Sequence, residues 1–179
     1  MGYIKSGLFI SLDGVIEAPE TWHFPYFNDE MGAAVGELMS GNDATLLGRQ
    51  TYDEFAGYWP DADPEDEMTG VMNGARKYVV STTLTDAEWE NSSVISGDVE
   101  AELTALKRET GLGTTGSATL VRWMLERGLV DELHLLVHPI VVGKGKKLFA
   151  DGDTVPLELV SSTTFTTGVL HLVYANAAQ

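Results

Sequence analysis

At 179 residues, 44% hydrophobic and 21% charged, the chain is long enough for one hydrophobic core and too apolar to stay disordered, and no break in composition divides residues 1–179 into more than a single domain. Its 11 Lys and Arg against 27 Asp and Glu give a formal charge of -16, which repels nucleic acid at long range, although helix N-termini and single arginines still bind anions locally. The absence of Cys excludes disulfides, thiol chemistry and cysteine metal sites.

Residues 3–11 read as a first strand, an apolar run broken by Lys5 and stopped at Asp13-Gly14. That run is too short to span a membrane and unlike a signal peptide, so the chain is expected in the cytoplasm with no membrane partner. A loop rich in Gly, Pro and aromatic residues follows to about Phe27 and is a candidate pocket lid. Asn28 or Asp29 caps a helix with Met31, Val35, Leu38 and Met39 on one side, ended by Gly41. Residues 44–47 form a short strand ending at Gly48, and 49–55 start a helix. Residues 60–69 are expected to be an acidic surface loop, 77–80 a strand, and 94–95 a further short one. Asp98 caps a helix carrying Val99, Leu103 and Leu106 on one stripe, with Gly111 beyond its end. Residues 112–115 are extended, and Gly116-Ser117 opens a helix with a core stripe of Leu120, Val121, Met124 and Leu125, closed by Gly128. Residues 132–142, 157–161 and 165–174 predict consecutive antiparallel strands. Alternating strands and helices followed by strands alone predict an α/β fold with a mixed sheet flanked by helices.

Three segments share one design, in which small or hydroxyl residues follow a short apolar strand: Gly48-Arg49-Gln50-Thr51, Ser81-Thr82-Thr83 and Gly116-Ser117-Ala118-Thr119. In open α/β sheets ligands sit at the C-terminal ends of strands, where a helix start offers unpaired N–H groups to a phosphate. Each segment taken alone reads equally as a helix cap. Arg49 is one of five arginines, with Arg76, Arg108, Arg122 and Arg127. It either pairs with a surface acid or selects the 2′-phosphate that distinguishes NADPH from NADH.

Along the chain stand Ser11-Leu12-Asp13-Gly14, Leu47-Gly48-Arg49-Gln50-Thr51-Tyr52, Tyr78-Val79-Val80-Ser81, Gly116-Ser117-Ala118-Thr119-Leu120, Gly128-Leu129-Val130-Asp131-Glu132-Leu133, and Pro139-Ile140-Val141-Val142-Gly143-Lys144-Gly145 continuing to Leu148-Phe149. In these motifs and their order the chain resembles the dihydrofolate reductase-like superfamily, which includes the C-terminal reductase domain of bacterial riboflavin biosynthesis. The resemblance implies a three-layer fold whose mixed, mostly parallel sheet ends in antiparallel strands. It also implies NADPH, with the pyrophosphate held by Gly48, Arg49, Gln50, Thr51 and Gly116, Ser117, Ala118, Thr119. Arg49, Ser81 and Thr82 would face the 2′-phosphate, while Ser11, Asp13, Ile16 and Trp22 would flank the nicotinamide and the substrate. The implied activity is hydride transfer to a small heterocyclic substrate.

Dihydrofolate reductases set a carboxylate from an early helix against the pterin; Asp29 or Glu30 stands there, or both merely favour the helix start. The family's riboflavin enzymes grip a ribose phosphate with arginines in and after that helix and carry a glutamate beside the glycine turn. Here residues 29–39 hold no arginine and Thr114-Thr115 replace the glutamate, which favours an unphosphorylated heterocycle. His134 and His138 share a strand face, and His171 is a possible neighbour, but their spacing is not a metal signature and no metal is expected. Lys144, Lys146 and Lys147 either contact phosphate or belong to a polar hairpin. The apolar C-terminal strands suit a homodimer. The competing expectation is a non-catalytic nucleotide-binding or interaction module on the same fold.

Overall fold

The computed structural model describes residues 2–149 and 154–177. Along the chain come β1 (Tyr3–Ser11), α1 (Asp29–Ser40), β2 (Ala44–Gly48), α2 (Arg49–Ala56), α3 (Glu67–Gly74), β3 (Arg76–Val80), β4 (Ser92–Ile95), α4 (Val99–Leu106), β5 (Gly111–Thr114), α5 (Ala118–Glu126), β6 (Glu132–His138), β7 (Leu157–Thr164) and β8 (Leu170–Asn176). Among the described residues the eight strands make one sheet in the order β4-β3-β2-β5-β1-β6-β8-β7. Strands β4 through β6 in that order run parallel, whereas β8 is antiparallel to both β6 and β7.

Period-two burial along β1 sends Ile4, Leu8 and Ile10 to one face and Gly7 and Phe9 to the other. The first face packs against α4 and α5 through Leu103, Leu120, Val121, Met124 and Leu125, each contributing about 1.5–3 kcal/mol of burial. On the second face Tyr52 and Met72 bring α2 and α3 onto Leu47 and Val79, and Met31 brings α1 onto Leu136. The result is the three-layer mixed sheet that the resemblance implies.

Several details depart from the sequence expectation. The acidic segment 60–69 is not all loop: the Asp66 side chain accepts from Met68 N at 3.0 Å, capping α3, whose Thr69 and Met72 are buried. Strand β6 stops at His138, because Pro139 has no N–H with which to continue the ladder. Phe165 closes a turn by donating to Val169 O at 2.8 Å, with Gly168 at φ +86, so β8 begins only at Leu170. Strand β8 inserts between β6 and β7, so the last strands are not paired in chain order. That leaves β7 at the sheet edge, with Leu159 54% and Val160 59% exposed. Residues 154–177 carry a single formal charge, Glu158.

Candidate functional site

Because six neighbouring strands run parallel, their C-terminal ends share one sheet edge, where Ser11, Gly48, Ser81, Thr114 and His138 stand. Gly48 N donates to Gly116 O at 3.3 Å, which brings the glycine turns of β2 and β5 together. The Thr114 hydroxyl fastens the second turn, donating to Gly116 O at 3.0 Å and accepting from Gly116 N at 3.3 Å. The Gly116–Ser117 peptide is cis. A Cβ on Gly48 would overlap the Ser117 hydroxyl, and one on Gly116, at φ +150, would lie 2.9 Å from Thr51 Oγ1. Only glycine permits so close an approach of two backbones.

Helices α2 and α5 start at these two turns. Asn28, Asp66 and Asp98 cap α1, α3 and α4 with side-chain oxygens, and all three helices carry acids in their first turn. Among the described residues, Gly48 and Ser117 supply no side-chain cap, and the first turns of α2 and α5 contain no acid. In a chain with 27 acidic residues, this pair of adjoining N-termini keeps its N–H groups and positive dipole ends available to an anion.

Arg49 begins α2 and pairs with a surface acid. Its Nε bonds both Asp53 oxygens at 2.8 Å, while Nη1 lies 3.5 Å from Thr83 Oγ1. Ser81 Oγ accepts from Thr83 N at 3.2 Å and Leu84 N at 3.0 Å, folding the residues after β3 toward Arg49. Thr83, rather than the exposed Thr82, meets the guanidinium; a run of three hydroxyl residues does not reveal which one a turn presents. Gln50 donates to Glu54 at 3.0 Å and accepts from Lys146. Lys146 thus reaches the glycine turn from the segment after β6, a link hinted at by the lysine cluster. Ser117 is half-buried and Ala118 buried, whereas Thr119 faces solvent.

On the other side of the edge, Asp13 acts as a clamp. It accepts from Ser11 Oγ at 2.7 Å, Val142 N at 3.0 Å and Gly143 N at 2.9 Å, and these bonds, Ser11 first, lower its pKa to about 2. Ile16 packs against the core, and its N donates to Lys146 O at 2.9 Å. Trp22 is buried, its Nε1 donating to Glu17 O at 3.1 Å and its ring edge-on to His138 at 5.2 Å. Asp29 is exposed in the first turn of α1, while neighbouring Glu30 is held by Thr166 N and Oγ1 at 2.7 and 2.6 Å. The aromatic set around Trp22, drawn from β1, β6 and the candidate lid, was not legible as a cluster because its members are far apart in the chain.

Two surface hollows lie elsewhere. One of about 680 Å³ is lined by Asp43, Arg76 and Asn91 where the strands begin, and one of about 500 Å³ by Val94, Glu102 and Leu106 beside β4. Both are open and gather none of the residues above, so the edge with convergent N–H groups is the stronger candidate. His134 Nδ1 lies 3.0 Å from His171 Nε2, and His134 Nε2 lies 3.0 Å from Glu132. Among the described residues no group of three His, Cys, Asp or Glu is arranged for a metal, and no helix is long and apolar enough to cross a membrane.

The family described as RibD C-terminal domain matches residues 2–171. The uncharacterized protein YyaP of Bacillus subtilis (strain 168) is 33% identical over 177 residues, covering 93% of this chain and 91% of that protein. A putative riboflavin biosynthesis protein from Shewanella sp. PV-4 superposes with a TM-score of 0.77 at 20% identity, covering 99% of this chain and 100% of the other. The diaminohydroxyphosphoribosylaminopyrimidine deaminase/5-amino-6-(5-phosphoribosylamino)uracil reductase of Thermotoga maritima superposes with a TM-score of 0.68 at 17% identity, covering 98% of this chain and 57% of that one. At these identities the two solved structures show the shared fold.

Proposed function

From the premise that the chain belongs to the RibD C-terminal domain family, we propose that it is an NADPH-dependent reductase acting on a C=N or C=O group of a small, unphosphorylated heterocycle. The observation that carries this is the pair of uncapped, acid-free helix N-termini joined at Gly48 and Gly116. A pyrophosphate fits there: Arg49 to Thr51 and Ala118 to Thr119, in the first turns of α2 and α5, offer backbone donors, and neither glycine has space for a Cβ. Arg49, Ser81 and Thr83 form the cationic and hydroxyl-rich corner suited to a 2′-phosphate, with Asp53 holding the guanidinium in place. When bound, NADPH supplies the hydride.

The remaining groups orient the reactants and exclude water. The clamp at Asp13 fixes the turn after β1 against residues 142–143, and Trp22 closes over the end of β6. The first turn of α1 presents Asp29 and Glu30 in place of arginine, a poor environment for a substrate phosphate. Calorimetry with NADPH and NADH tests the cofactor; failure to bind either refutes the proposal and favours a non-catalytic module. NADPH oxidation assayed with dihydrofolate beside the ribosylaminouracil phosphate tests the substrate. Turnover of the phosphate at roughly 10⁴ M⁻¹s⁻¹ or more would refute the unphosphorylated class.

A further inference from the structure

His138 ends β6 and pairs in register with Ser11 at the end of β1, so it stands beside the turn that flanks the proposed pocket. It is fully buried, and its Nδ1 lies 2.8 Å from Leu136 O. A carbonyl only accepts, so Nδ1 carries the proton and Nε2 of the neutral ring is a bare acceptor. Among the described residues Nε2 has no hydrogen-bond partner. Burial lowers the pKa of His138 and keeps the ring neutral.

The His138 ring has aromatic neighbours. Phe9, Trp22 and Tyr26 meet the His138 ring edge-on at 5.5, 5.2 and 5.7 Å. His23 stacks on Phe9 at 4.6 Å, and its own buried Nδ1 also lacks a partner among the described residues. An unsatisfied buried polar atom costs about 1–3 kcal/mol, and a core selected for stability alone would place an apolar ring here. The cover over this box is separable. Among the described residues, the backbone N–H bonds made by residues 21–27 all return to positions 18–24. A long bond of 3.5 Å from Tyr26 Oη to Pro139 O ties the segment to the residue just beyond β6, and Phe24 and Phe27 are 63% and 49% exposed. Segments held by few non-local bonds open at low cost.

We propose that His138 is a specificity-determining residue whose Nε2 accepts a hydrogen bond from a ring N–H of a planar heterocycle admitted between these aromatic walls. This assignment rests on the reductase proposal above. An acceptor lone pair in an apolar box favours a lactam or amidine N–H and disfavours a carboxylate or phosphate. Flat rings also gain from stacking and edge contacts with Phe9, Trp22 and Tyr26.

The test begins with wild-type protein labelled with ¹⁵N in its histidine rings and saturated with NADPH, titrated with dihydrofolate and with 5,6-diaminouracil. At least one probe should shift the Nε2 signal of His138 while leaving Nδ1 protonated. His138→Phe should raise the melting temperature, leave NADPH affinity unchanged and weaken that probe by about tenfold or more. His138→Gln, which restores an acceptor, should recover part of the loss. Binding of the probe to His138→Phe within twofold of wild type overturns the assignment. A His138 signal unmoved by either probe, including failure of both to bind at about 1 mM, overturns it too, whether or not the variants fold. Failure of NADPH to bind in the first step is a separate result and removes the reductase proposal instead.

Discussion

Replacing Gly48 by Ala puts one methyl group at the junction of α2 and α5. Built on the present backbone, that Cβ overlaps the Ser117 hydroxyl and comes within 3.1 Å of both Ser117 Cβ and Ser117 N. A rotamer change moves the hydroxyl, but not the other two atoms, so the turns must separate by a few tenths of an ångström or more. Overpacking of this kind costs about 1–3 kcal/mol of stability. Separation also misaims the N–H groups of one turn, and losing one hydrogen bond to a charged ligand costs about 1.5–3 kcal/mol, or roughly 10- to 150-fold in affinity. Calorimetric titration with NADPH beside a thermal melt measures both effects. Ser117→Gly in the Gly48→Ala background removes the hydroxyl and the Cβ, and should restore part of the affinity. If Gly48→Ala binds NADPH within twofold of wild type and melts at the same temperature, the close-approach argument fails.

Arg49→Ala should weaken NADPH by about 1.5–3 kcal/mol and barely change NADH; equal loss of both in calorimetry refutes the 2′-phosphate role. Lys77 is 1% exposed, donates to the carbonyls of Asn73, Ala75 and Glu90, and has its pKa lowered by burial to about 8. Below pH 8 both folded and unfolded states hold its proton, whereas between 8 and about 10.4 the unfolded state holds more. Stability from this group should therefore rise by roughly 3 kcal/mol across that window and be lost again as pH falls through 8. Urea melts of wild type and Lys77→Met from pH 7.5 to 10.5 check it, since equal slopes would dismiss the assignment. We infer that the edge strand β7, whose one formal charge is Glu158, pairs two copies of the chain. Sedimentation should find a dimer for wild type and a monomer for Leu159→Lys, and a wild-type monomer at about 100 μM refutes the inference.

Local signals carried much of the fold. Strand β1 announces itself by alternation, and α5 by Leu120, Val121, Met124 and Leu125 recurring on one side before Gly128, which indeed takes φ +64. Helix α3 was hidden because its cap, Asp66, sits in a run of acids that reads as solvated loop, and because its burial involves only Thr69 and Met72. The order of the last strands depends on long-range pairing, which periodicity does not encode; β8 is next to β6 only through contacts such as Leu135 with Leu172. At the site, the glycine turns were visible as motifs, but their contact joins residues 48 and 116 and is a property of topology. Asp13 is legible as a residue of the turn after β1, but its bonds to Val142 N and Gly143 N join distant parts of the chain and are not.

The acid-free first turns of α2 and α5 sit in a molecule of net charge -16, and the two facts act over different distances. Beyond the screening length, about 8 Å at physiological ionic strength, an approaching polyanion feels repulsion from the whole surface, and only within the last few ångströms does it meet the local donors. Capture is therefore gated by the protein's own field. Added salt should lower that outer barrier and speed association, while the exposed part of the grip loosens and dissociation quickens. A nucleotide would exchange faster in concentrated salt with little change in equilibrium occupancy, the reverse of the steep salt-induced loss shown by proteins that collect polyanions on a basic surface.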